Sequence, residues 1–107
     1  MSDRLGLVVK FTIKEGHEEA FDELVSGTLP GIRDHEPDTL IYACHRVPNS
    51  PRARLFYELY RDQAAFDAHE QQPHVRRFLA EREQHLEGVA VDRLTLVDGK
   101  GIPASGS

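Results

Sequence analysis

The chain has 107 residues, 39% hydrophobic and 29% charged, enough for one core and too few for a nucleotide-binding domain joined to a substrate domain. Lys and Arg total 13 against 18 Asp and Glu, a net charge of -5 that argues against binding to nucleic acid or anionic membrane. The lone Cys44 cannot staple the fold and reads as a buried, inert thiol, and with no apolar leader or bilayer-length span a cytoplasmic protein is expected.

Leu5, Leu7, Val9, Phe11 and Ile13 alternate with mostly polar neighbours, which predicts a first strand. After a turn at Lys14, Glu15 and Gly16, the spacing of Ala20, Phe21, Leu24 and Val25 predicts an amphipathic helix with acidic Glu18 and Glu19 in its first turn. Gly27, Pro30 and Gly31 should break or kink it, leaving a short turn to about His35. Thr39 to Arg46 reads as a second strand, Val47 to Arg52 as a hairpin loop and Arg54 to Tyr60 as a third strand. Asp62 can cap a helix from Gln63 to about Glu70, and Pro73 opens another whose apolar stripe is Val75, Phe78, Leu79 and Leu86, ending at Gly88. Val89 to Val97 alternates as a fourth strand, and residues 98–107 are expected to be a disordered tail behind a domain over 5–97.

The order is β-α-β-β-α-β with the second helix split, the ferredoxin-like α+β fold with an antiparallel four-stranded sheet. Strands three and four are apolar on both sides: Leu55, Tyr57 and Leu59 oppose Phe56 and Tyr60, while Val89, Val91 and Val97 oppose Ala90, Leu94 and Leu96. Helices cover one face only, so the second cover is expected to be another copy of the sheet, giving a homodimer.

These segments resemble the antibiotic biosynthesis monooxygenase family. The resemblance rests on the run from Leu7 to Gly16, Thr39 to Tyr42, His45 and Arg46, Tyr57 to His69, and Pro73, His74 and Phe78. It implies a dimeric α/β barrel and oxidation of a small electron-rich aromatic of the quinol or phenol type by O₂ without flavin, haem or metal. It also implies that Phe56, Glu58 and Tyr60 look toward the helices. The chain departs from the anthrone-oxidising members, which carry tryptophan, asparagine and tyrosine where Tyr60, Phe56 and Phe66 stand, and from the haem-degrading ones, whose histidine falls at Leu79.

An inward Glu58 costs several kcal/mol, roughly, unless paired or protonated. It either accepts hydrogen bonds that hold the fold, or orients a histidine or a substrate hydroxyl. His69 follows Phe66 by one helical turn and should point inward with it, whereas His74 sits in the first turn after Pro73, where the helix dipole disfavours a positive ring. Each is either a structural or capping group or the general base that a phenol requires. His74 is expected to be the better base, directed at the pocket; Tyr60, Glu58, Phe56, Phe66 and Phe78 are the expected substrate contacts. Whether His45 or Arg46 faces the pocket stays open.

No metal site is expected, because His69 and His74 are five apart with a proline between them, and no Gly-rich phosphate loop or nucleophile elbow is present. Without a cofactor the electrons for O₂ must come from the substrate. Two alternatives remain: an isomerase acting on a small polar or phosphorylated ketone, which Arg46, Arg76 or Arg77 in the pocket would favour, and a non-catalytic binding or stress-response module.

Overall fold

Leu5, Leu7, Val9, Phe11 and Ile13 are all buried along one face of the first strand, β1 (Leu5–Ile13), and the rest of the chain is arranged around that row. The computed structural model describes residues 3–104, so the last three residues of the expected tail lie outside the described residues. After β1 come α1 (Glu18–His35), β2 (Thr39–Val47), β3 (Ser50–Tyr60), α2 (Gln63–Gln71), α3 (Pro73–Glu81), a single 3₁₀ turn (Arg82–His85) and β4 (Leu86–Thr95). The strands form one antiparallel sheet in the order β2-β3-β1-β4, so the fold is ferredoxin-like α+β with its second helix in two pieces.

Phe11 is the centre of the core. Its ring lies 5.2 Å from Phe21 of α1, 4.7 Å from Phe56 of β3 and 6.4 Å from Phe78 of α3. Sheet and helices are thus joined through edge and tilted aromatic contacts, the favoured geometry for such rings.

Three local expectations are corrected. The helix expected to break near Gly27, Pro30 and Gly31 runs unbroken to His35. Pro30 removes only the hydrogen bond to the carbonyl of Ser26, an exposed residue that water can satisfy, while Phe21, Val25, Thr28 and Ile32 hold a buried stripe on both sides of it. The hairpin loop is shorter than Val47 to Arg52: Val47 already pairs with Ser50, and Asn49 takes the left-handed conformation (φ 65°) that asparagine tolerates. Pro51 enters the strand where the register with β2 is irregular, so its missing N–H breaks no regular ladder.

The third correction concerns Leu86 and Gly88. The last helix ends at Glu81, and Leu86 begins β4 opposite Ile13, with Gly88 inside the strand opposite Thr12. Leu86 still packs on the core, so apolar spacing placed it correctly inward but on the wrong element.

The two faces of the sheet differ. Leu7, Val9, Phe56, Glu58 and Tyr60 face the helices; Val8, Leu55, Tyr57 and Leu94 lie on the other side, with Leu94 41% exposed. Leu59 shares that second face but is fully buried. No helix among the described residues is long and apolar enough to cross a membrane.

Candidate active site

A cavity of about 190 Å³ opens between the helix-facing side of the sheet and helices α2 and α3. Leu7, Val9 and Phe11 of β1 form its floor, Phe66, Val75, Phe78 and Leu79 its helical wall, and Val91 and Arg93 of β4 its outer edge. Its polar lining is Tyr42, Glu58, His69, Glu70, Arg82 and Arg93.

Each polar group arrives by ordinary local structure. Glu58 projects from β3 on the Phe56 and Tyr60 face because side chains alternate along a strand. Asp62 caps α2 by accepting from the Ala65 amide at 2.8 Å, and this fixes the phase of the helix so that Ala65 and His69 turn inward.

His69 does not stand alone. Its Nδ1 lies 2.5 Å from Oε1 of Glu36, and the other oxygen, Oε2, lies 2.5 Å from Nε2 of His74. Thr39 donates to Oε1 at 2.8 Å. Glu36 caps the C-terminus of α1, where its amide donates to the Ile32 carbonyl, and it is buried. Burial pushes the Glu36 carboxyl up, but the bonds from His69, His74 and Thr39 outweigh it and hold the group below the ordinary carboxylate range. An ionised carboxylate only accepts, so both histidines donate to it.

Histidines five apart cannot share a face of one straight helix, yet both reach Glu36. The break between α2 and α3 at Gln72 and Pro73 makes this possible, since Gln72 is extended (φ -66°, ψ 138°) and redirects the chain. Gly31 supplies the remaining room: a Cβ there would sit 2.4 Å from Cγ of His74. Among the described residues no three His, Cys, Asp or Glu side chains converge to hold a metal ion.

Glu58 makes the second buried polar pair. The Tyr60 hydroxyl donates to Glu58 Oε1 at 2.5 Å. Burial raises the Glu58 carboxyl above its usual range, and the Tyr60 bond only partly offsets it. Burial and the adjacent Glu58 also push the Tyr60 hydroxyl up, so it stays protonated.

The expected site residues therefore divide. Glu58, His69, Phe66 and Phe78 line the cavity. Tyr60 is fully buried behind it, its ring 5.2 Å from Phe66 and 5.1 Å from His69, and Phe56 is a core ring against Phe11 and Phe78. His74, expected to point into the pocket, points at Glu36 instead. Arg46 lies on the helix side of β2 but meets Asp22 at 3.6 Å, away from the cavity, while His45 is on the opposite face beside Leu55. Cys44 is exposed, not buried, although desolvation and the charges of Glu58 and Asp22 push its thiol up to about 12.

The sequence reading missed Glu36, Tyr42 and Arg82. Tyr42 was signalled by its alternation with Ala43 on β2, whereas Glu36 and Arg82 sit at helix ends, where charge is commonplace.

The model for the antibiotic biosynthesis monooxygenase family matches residues 4–81. Among solved structures, PA3566 from Pseudomonas aeruginosa is 28% identical with a TM-score of 0.82, over 92% of this chain and 98% of that one. SO0527 from Shewanella oneidensis is 24% identical (TM-score 0.82, 90% and 93% covered), and Rv0793 from Mycobacterium tuberculosis 21% identical (TM-score 0.83, 92% and 99% covered). The last two are likenesses of fold. No curated protein matches the chain.

Proposed function

The chain belongs to the antibiotic biosynthesis monooxygenase family, and from that membership and the cavity we propose a cofactor-independent monooxygenase that oxidises a small phenol or quinol with O₂. The observation that carries the reading is the Glu36 and His69 pair. Glu36 fixes the Nδ1 proton of His69, which leaves Nε2 as the free nitrogen of a ring that lines an apolar cavity. A carboxylate that orients an imidazole in this way sets its tautomer and stabilises the positive ring formed when it takes a proton.

The reaction balances without an external electron donor. His69 removes the hydroxyl proton, and the resulting anion passes an electron to O₂. The radical pair combines at a ring carbon and the resulting peroxide takes the proton back. Loss of the C–H proton from that carbon then breaks the O–O bond, so one oxygen leaves as water while the other stays as the new quinone carbonyl. The apolar walls keep water from the intermediates. Glu58, protonated more readily than an ordinary carboxylate, supports the reading as the group that returns the proton.

A homodimer through the open sheet face and a cytoplasmic location complete the proposal. The exposed Leu94 and the half-buried Val8, Leu55 and Tyr57 support the dimer. The isomerase alternative loses its expected support, because Arg46 and Arg77 pair with Asp22 and Glu81 and neither they nor Arg76 lines the cavity.

The deciding experiment is oxygen consumption with a panel of quinols and phenols. Uptake that follows substrate and forms quinone is expected; none across the panel would overturn the reading.

A further inference from the structure

Two cations of the cavity lining, Arg82 and Arg93, are not used by the mechanism above; Arg93 donates to Gln63 at the outer edge, whereas Arg82 sits against the core rings. Its guanidinium carbon lies 5.5 Å from the ring centroid of Phe11 and 5.6 Å from that of Phe78, on the wall of the cavity. Its Nε is buried and has no hydrogen-bond partner among the described residues. Arg46, Arg52, Arg54, Arg61 and Arg77 each meet a carboxylate, and Glu58, an acidic neighbour in the same cavity, is bonded to Tyr60 instead. A buried donor left unpaired costs roughly 1–3 kcal/mol and calls for a partner.

The two aromatic faces hold the guanidinium in place through cation–π attraction, so its orientation is set before any ligand arrives. A planar fork of N–H groups fixed on an apolar wall suits a carboxylate, which it can bind through two parallel hydrogen bonds. Size narrows the class further. An apolar cavity of roughly 150 Å³ holds benzene, so about 190 Å³ takes one substituted ring.

We propose that the cavity selects a hydroxylated benzoate, whose carboxylate binds Arg82 while its hydroxyl group meets His69. The inference rests on the cavity being the substrate site of the proposed function, but not on the oxidation step. Arg82 is then a specificity-determining residue. A neutral quinol of the same size fills the apolar part and offers the guanidinium at most a neutral hydroxyl acceptor, without the charge or the second parallel bond of a carboxylate.

The test is calorimetric titration of the full chain with 2,5-dihydroxybenzoate, with its neutral amide 2,5-dihydroxybenzamide, and with hydroquinone. The acid should bind at least about tenfold more tightly than either neutral probe, the usual worth of one charge-assisted pair. Arg82→Met, which keeps an unbranched apolar side chain and removes the guanidinium, should erase that preference. Equal affinities, no binding of the acid, or a preference that persists in a folded Arg82→Met protein would each overturn the proposal. If the variant fails to fold, the comparison of acid with amide on the unaltered chain decides. Acid binding through Arg82 without oxygen uptake would sink the monooxygenase and leave this inference standing. Oxygen uptake with hydroquinone but no preference for the acid would do the reverse.

Discussion

Glu36 and His69 are 33 positions apart in the chain, yet their side chains meet at 2.5 Å inside the protein, the carboxylate at the end of α1 and the imidazole in the last turn of α2. This pair makes His69 the candidate base, and His74 a second donor to the same carboxylate.

Replacing His69 with alanine should lower turnover by roughly two to four orders of magnitude, the usual worth of a general base. His74→Ala should cost much less, because His74 does not line the cavity. Oxygen-uptake kinetics on both variants, with circular dichroism to confirm folding, separates the two roles; the larger loss in His74→Ala would reverse the assignment.

Glu36→Gln keeps the shape and removes the charge. Each of two histidines then donates to a neutral amide or loses its acceptor, so the variant should be less stable by about 1.5–3 kcal/mol, the range for hydrogen bonds to a charged group. Urea unfolding measures it. Under the proposed function turnover should fall as well, with little change in KM, because the role proposed for Glu36 is to position the base rather than to touch the substrate.

Glycine-to-alanine changes in one helix should have opposite signs. At Gly27 nothing lies within 4 Å of the added Cβ, and the helix should gain about 0.8–1 kcal/mol. At Gly31 the same methyl lands 2.4 Å from the His74 ring, so the variant should lose stability as His74 is forced off Glu36. Melting temperatures of the two proteins give the comparison directly.

Acid should weaken the fold through Asp22. Its carboxylate takes a bidentate grip from Arg54, at 2.8 and 2.9 Å, which holds it below the usual range against the cost of burial. A lowered carboxyl contributes stability above its unfolded value of roughly 3.9, lost as pH falls through the lower folded value. Glu58 has the opposite sign: its raised carboxyl favours the folded state when protonated, and that contribution is withdrawn as pH rises from its unfolded value of roughly 4.3 through the folded one. Asp22→Asn should therefore flatten stability below about pH 4, and Glu58→Gln should compare more favourably with the parent at pH 7 than at pH 4. Urea unfolding across pH checks both signs.

The proposed dimer is best tested at Leu94. Leu59 is fully buried within one chain and a charge there would unfold it, whereas Leu94 is 41% exposed on the open sheet face. Leu94→Asp should leave a folded monomer in sedimentation at micromolar concentration.

The elements with strict periodicity were legible in the sequence: the alternation of Leu5 to Ile13 located the first strand, and the family resemblance, by turning the face of Phe56 and Tyr60 toward the helices, set Glu58 apart as a charge on an inward face. The site was harder to read because its key contact is not periodic. Glu36 is one acidic residue at a helix end, with nothing local to mark it, and its partners lie 33 and 38 positions away. Gly31 misled for a related reason. Locally it reads as a helix breaker, while its purpose is space for a ring from another helix. His74 carried the right chemistry but its direction depended on the bend at Gln72, which no spacing rule reports.

One carboxylate at the end of α1 ties down α2 through His69 and α3 through His74. None of the three segments can leave its place without stranding a charge that the other two share. They should accordingly open as one cooperative unit in amide hydrogen exchange, with α2, only nine residues long, borrowing a protection far beyond what so short a helix keeps alone.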